Sequence, residues 1–227
     1  MADSLGVPLY ITIVFCVTTL ATLFLFWKAT NYANKVLVVL ILWLLVQGIL
    51  SYSGFYLDVY DKPIKFAIAL PFTLVVIISL FSFKKGKVWI LSLDHKFLIL
   101  LHIVRVPVEI ILYWLFLWKA VPELMTFSGR NFDILAGLTA PIVYCAFVKK
   151  KLNNVWILCW NIICLGLLFF IILNAILSAP LPIQQFAFQQ PNVAIFYFPF
   201  IWLPTFIVPI ALFAHFCVIY KILKKKE

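Results

Sequence analysis

The sequence predicts an all-α, polytopic integral membrane protein, with seven transmembrane helices forming one domain over residues 1–227. Three observations predict it. The chain is 66% hydrophobic and 11% charged, with a mean hydropathy of +1.13, whereas soluble domains run at about 45–50% apolar and ~25% charged. Apolar runs lie near 8–27, 36–57, 64–83, 97–121, 132–148, 155–178 and 193–220, each close to the ~20 residues a helix needs to cross a bilayer core. The third observation is charge. Seven crossings put Lys28, Lys35, Lys84, Lys85, Lys87, Lys96, Lys149, Lys150, Lys151, Lys221, Lys224, Lys225 and Lys226 on one side, with only Asp94 and Glu227 as acids. The other side holds Lys62, Lys65, Lys119 and Arg130 with Asp3, Asp58, Asp61, Glu123 and Asp133. Lysine-rich loops stay in the cytoplasm. The N-terminus is therefore expected outside and the C-terminus inside, in the cell (inner or plasma) membrane.

The opening MADSLGVP has no basic residue before the first apolar run, and Lys28 follows that run. A secretory signal has the opposite order, so the first helix is expected to remain uncleaved. In the second run, Gln47 and Ser51 share a face. Between the third and fourth runs, KKGKVWILSLDHK carries the largely apolar Val88–Leu93 stretch with Trp89, expected to lie along the cytoplasmic interface.

The fourth run carries His102, Arg105, Glu109 and Tyr113 at steps of three, four and four. At 3.6 residues per turn they fall within an arc of about 80°. A charge at bilayer depth costs at least ~2.5 kcal/mol, so these groups must face protein and have partners. Arg105 lies about 14 Å beyond Lys96 along a helix. An i, i+4 pair with Glu109 is sterically open, although arginine before glutamate is the weaker order. His102, Asn161 of the sixth run and His215 of the seventh fall at one depth.

The stretch PELMTFSGRNFD reads as a tight turn punctuated by Gly129, with Ser128 or Asn131 capping the fifth helix. Asp133 suits a helix N-terminus through the dipole, and Arg130 is placed to pair with Glu123 or Asp133. Glu123, Arg130, Asn131, Asp133 and Asn174 form an expected outer polar cluster. Gly137, Ala140 and Tyr144 share the Asp133 face, where small residues allow a second helix to come close. The uncharged segment SAPLPIQQFAFQQPN joins the sixth and seventh runs. It either folds over the outer mouth or rests on headgroups. Pro199, Pro204 and Pro209 predict a bent seventh helix, because each removes a backbone donor.

The net charge of +10 does not indicate nucleic acid, since the lysines cluster at the ends of apolar runs, where they set topology. Cys16, Cys145, Cys159, Cys164 and Cys217 lie inside apolar runs without a CxxC pair, which reads as buried hydrophobes rather than disulfides or a metal site. The expected partners are the lipid bilayer and a small polar or lipid ligand.

The first functional expectation is binding, sensing or carriage of a small polar or anionic ligand by Arg105, Glu109, Tyr113, Gln47, Ser51 and Tyr197. Arginine offers a rigid fork of donors, and a buried glutamate can orient it or exchange a proton. No inverted repeat points to a secondary transporter. The second is a membrane enzyme acting on a lipid or isoprenoid, with Glu109 as acid or base and Arg105 holding developing charge. No HxxxH, HExxH or GxSxG accompanies them. The Pro-x-Glu-acid motif of small membrane lycopene cyclases is incomplete, because Ile110 follows Pro107, Val108 and Glu109. The third is a b-type haem protein with His102 and His215 as axial ligands. The topology resembles that of microbial rhodopsins and G-protein-coupled receptors, but residues 193–220 hold no lysine, so a retinal Schiff base is excluded.

Overall fold

The computed structural model describes residues 5–57 and 64–224. Asp3, Asp58, Asp61, Lys62, Lys225, Lys226 and Glu227 lie outside them. The regular elements among the described residues are all helical. They are α1 (Leu9–Ala29), α2 (Asn34–Tyr52), α3 (Ile64–Ser82), α4 (Lys84–Ser92), α5 (His95–Leu100), α6 (Arg105–Leu117), α7 (Ile134–Val148), α8 (Asn154–Ser178) and α9 (Val208–Lys224). Among the described residues, five stretches are long and apolar enough to cross a membrane: α1, α2, α5–α6 together, α8, and Leu203–Lys224. Phe72–Ser82 of α3 and all of α7 are apolar but shorter.

Local chemistry explains the ends and breaks. Asp94 accepts the Lys96 amide at 2.8 Å and starts α5. Asn153 accepts the Trp156 amide at 3.1 Å and starts α8. Such caps satisfy donors that a helix cannot pair internally. Pro107 cannot donate to the Ile103 carbonyl, and the chain between α5 and α6 tightens there into a 3-10 turn, Leu101–Val104. The stretch 84–92, of which Val88–Leu93 was expected to lie along the cytoplasmic interface, forms α4, and its Trp89 stacks on Phe213 of α9 at 5.9 Å.

The predicted seventh helix over 193–220 is not one bent helix. A 3-10 turn (Ala194–Phe196), irregular chain and a π turn (Leu203–Ile207) precede α9, and the Phe198–Pro199 peptide is cis. Three prolines in eleven positions remove too many donors for continuous α-helix. Pro209 leaves the Thr205 carbonyl without its α-helical donor, and the Trp43 indole N–H supplies one at 2.9 Å. Trp202 donates to the Leu44 carbonyl at 2.9 Å. Gly48 allows this approach, since a Cβ there would already lie 3.4 Å from Phe198 and Trp202. α2 is thereby held against the irregular segment. α1, α5, α6 and α9 enclose the main apolar core, in which Phe15 meets Phe200 at 5.1 Å and Phe26 meets Phe213 at 5.9 Å.

Candidate functional site

The site forms where α7 crosses the start of α6. A Cβ built on Gly137 would lie 2.8 Å from the Val106 backbone nitrogen and 3.2 Å from the Arg105 Cβ. The bare glycine lets the two backbones nearly touch, and Ala136 and Ala140 beside it are fully buried. Asp133, about one helical turn before Gly137, comes to rest against the Arg105 guanidinium. Arg105 Nη1 donates to Asp133 Oδ1 at 2.8 Å and to the Cys164 carbonyl at 3.4 Å.

Arg105 Nη2 lies 3.0 Å from His215 Nε2. A guanidinium only donates, so Nε2 must accept. His215 is then the neutral tautomer with its hydrogen on Nδ1, and it donates to Asn161 Oδ1 at 2.8 Å. Asn161 is anchored by its own bond to the Ile157 carbonyl at 2.9 Å. His102 stacks face to face on His215, with centroids 3.8 Å apart and planes 16° apart, and Trp160 meets it edge-on at 5.7 Å. Among the described residues, neither ring nitrogen of His102 has a hydrogen-bond partner, nor does Arg105 Nε.

Glu109 stands one turn further along α6. Arg105 does not bond it. Asn131 does: its amide nitrogen is 2.6 Å from both carboxyl oxygens and 3.0 Å from the Met125 carbonyl. The Asn131 Oδ1 accepts the Asp133 amide at 3.0 Å. A tight turn presents this residue. Thr126 Oγ1 donates to the Glu123 carbonyl at 2.8 Å and lies 2.7 Å from Ser128 Oγ. A side chain at Gly129 would collide with the Glu123 carbonyl.

Several expectations need correction here. Neither Ser128 nor Asn131 occupies the N-cap of α7. Asp133 does, yet its carboxylate makes no capping bond, because Arg105 holds it. Arg130 does not pair with Asp133; its guanidinium sits 6.0 Å from the Phe186 ring centroid. Asn174 bonds its own helix, at the Phe170 carbonyl, 2.8 Å away.

A cavity of about 380 Å³ adjoins the site, lined from α6 by Val108 and Leu112, from α8 by residues between Leu168 and Ala179, and from the outer segment by Leu181 and Ile183. Among the described residues, Glu109 and Asp133 are its only polar lining side chains. The six residues expected to share a ligand cavity divide. Glu109 borders it, and Arg105 bonds to Asp133 beside it. Gln47 accepts the Tyr56 hydroxyl at 2.7 Å, and Ser51 donates to the Phe196 carbonyl at 2.9 Å. Tyr197 packs on a small separate cluster that includes Tyr56, Phe196 and Ile201, and Tyr113 stacks on Phe127 at 4.9 Å. Gln47, Ser51, Tyr113 and Tyr197 are not among the residues lining the cavity. The Gly48 contact turns this face of α2 toward the irregular segment instead of toward α6.

The haem expectation does not fit this geometry. Axial imidazoles approach one iron from opposite faces of a porphyrin, nitrogen first. His102 and His215 stack in van der Waals contact, and both nitrogens of His215 are engaged. No group of three His, Cys, Asp or Glu that could hold a metal occurs among the described residues.

Asp133 as the partner of Arg105 was hidden in the sequence by its place beside a loop. The signal was the Gly137 and Ala140 face below it. The anchoring of the outer segment had no such signal. Gln190 Nε2 donates to the Phe116 and Val121 carbonyls at 3.0 and 2.6 Å, and the Ala120 carbonyl accepts the amides of Val193 and Ala194.

No curated protein and no solved structure matches the chain. One family model does, that of a domain of unknown function (DUF8737), over residues 63–223. That span contains every residue of the Arg105 cluster and of the cavity wall. The chain belongs to the DUF8737 family.

Proposed function

We propose that the protein is a seven-helix protein of the cell membrane, N-terminus outside, that binds one amphiphile in the cavity between α6, α8 and the outer segment. The observation that carries this reading is the cavity itself. Its volume of about 380 Å³ falls within the ~300–1,000 Å³ of ligand pockets. Its wall is apolar apart from two carboxyls, which suits an apolar body with a single polar head.

Arg105 is committed to Asp133 and His215, so the carboxyls rather than the guanidinium meet the ligand. This narrows the expectation from sequence, which was a small polar or anionic ligand. The 179–193 segment acts as the cap, with Leu181 and Ile183 on the cavity wall and Gln190 tying it to α6.

The orientation draws support from the lysine-bearing ends. Asn31 donates to the Ser92 carbonyl at 2.9 Å and Lys221 to the Leu91 carbonyl at 2.7 Å. The ends of α1, α4 and α9 therefore lie together, as one cytoplasmic face requires. The 15 residues of α7 rise only about 22 Å, against a core of ~30 Å. It crosses as a seven-helix bundle requires when its first turn begins below the outer surface, where Arg105 and Asn131 supply the polar partners that water would supply elsewhere.

Native mass spectrometry of gently solubilised protein tests the reading. Wild type should carry one amphiphile, and Ala175→Phe, which fills the cavity from α8, should lose it. An empty wild-type protein would overturn the proposal.

One observation favours a second reading, acid–base chemistry on a lipid or isoprenoid by Glu109. Asp133 borders the same cavity, and two carboxyls there can divide the roles of acid and base. Such proton transfers rearrange a molecule without changing its mass, so the molecule recovered from wild type would differ from that recovered from Glu109→Gln in chromatographic retention and fragmentation. Identical molecules would leave binding alone.

A further inference from the structure

We infer that the head of the bound amphiphile is a cation, a protonated amine seated on Glu109. This deepens the amphiphile-binding reading and rests on it. The argument is a count of charges. Arg105 is the single cation of the cluster. His215 is neutral, because its Nε2 accepts from Arg105 and a protonated imidazole has no acceptor. His102 has no hydrogen-bond partner at either nitrogen among the described residues, so none of their carboxylates sits against it to hold a second charge there.

Two carboxyls face that one cation. Asp133 takes it at 2.8 Å. Glu109 receives only the neutral amide of Asn131, whose two hydrogens are also shared with the Met125 carbonyl. A buried carboxylate is stable when a cation pairs with it. No lysine or arginine among the described residues lines this cavity, and Glu109 is on its wall. The second oxygen of Asp133 accepts no bond from the described residues either. An ammonium head offers three donors, enough for Glu109 and that oxygen together. An alcohol offers one and leaves the charge unmatched. A carboxylate head adds a third negative group.

The probes are decylamine, decanol and decanoate, which share one chain length and differ in the head. Each is titrated into the protein in phosphatidylcholine nanodiscs, with bound ligand counted by native mass spectrometry. Decylamine should bind at least about tenfold tighter than decanol, the increment expected of a charge-assisted bond, and decanoate should bind weakest. Glu109→Gln should abolish the amine preference, so that decylamine binds it no tighter than decanol. Equal binding of decanol or decanoate to wild type, or an amine preference that survives Glu109→Gln, overturns the cationic head and leaves the amphiphile reading intact. If none of the three binds, or Ala175→Phe binds them as wild type does, the amphiphile reading fails and this inference with it. The wild-type comparison decides the matter even if Glu109→Gln does not fold.

Discussion

Arg105→Met is the sharpest perturbation of this molecule. The substitution keeps the unbranched apolar stem of the side chain and removes the guanidinium. Asp133 then loses its 2.8 Å ion pair and His215 its 3.0 Å donor, both in buried surroundings. Breaking one side of a buried ion pair costs about 3–5 kcal/mol, and an acceptor left bare adds roughly 1 kcal/mol or more. A loss of ~4 kcal/mol or more is therefore expected. For a chain of this size each kcal/mol moves the melting point by about 2–4 °C, so the variant should melt roughly 8–16 °C below wild type. Adding Asp133→Leu removes the stranded carboxylate and should recover most of that loss, because a pair replaced whole by apolar groups is close to neutral. Intrinsic tryptophan fluorescence in nanodiscs reads the melt, with Trp160 reporting from 5.7 Å beside His102. The reasoning is refuted if Arg105→Met melts within about 2 °C of wild type, or if the double variant is less stable than the single one.

Three further outcomes follow from particular contacts. Gly137→Ala should destabilise by about 1–3 kcal/mol, since its methyl enters the 2.8 Å gap to Val106, while Gly166→Ala, with nothing within 4 Å, should gain ~0.5–1 kcal/mol of helix propensity; equal melting points for the two would contradict the packing described. His102→Phe preserves the stack and removes two unpartnered nitrogens, so its melting point should stay level or rise; a fall of more than about 5 °C would mean that the imidazole has a bonded partner. Trp43→Phe should cost ~1–2 kcal/mol by stranding the Thr205 carbonyl, and Pro209→Ala in the same chain should restore part of it by returning a backbone donor; a purely additive pair would show that the indole and the proline are not linked.

Hydropathy alone delimits α1, α2 and α8 to within a few residues, because an uninterrupted apolar run has no cheaper arrangement in lipid than a helix. It fails over 193–207, where the apolar composition continues but Pro199, Pro204 and Pro209 withdraw the donors. It also merges α5 and α6, whose join at Leu101–Val104, just ahead of Pro107, leaves hydropathy unchanged. The polar face of His102, Arg105 and Glu109 is legible from the helical repeat. Their partners are only half so. Asn161 and His215 share a depth with His102 and can be found by counting residues. Asp133 and Asn131 lie after a turn whose depth no count along the chain supplies, so their meeting with α6 depends on Gly137 and Gly129. Tyr113 shows the opposite error. It continues the polar stripe in sequence, yet its ring is taken up by Phe127.

A purely structural ion pair would explain Arg105 and one acid. It would not explain the rest. Asp133 already matches the guanidinium, and α7 already packs on α6 through Gly137. Fixing those helices requires no second carboxyl. Yet the turn at 122–131 is shaped to bring Asn131 onto Glu109, a group whose burial costs stability unless something offsets it. An apolar side chain at 109 would fill the same wall at no such cost. A protein that keeps a carboxyl without a cation of its own on an apolar cavity wall accepts a cost at that place. The molecule proposed above, apolar in body and positive in head, would offset it.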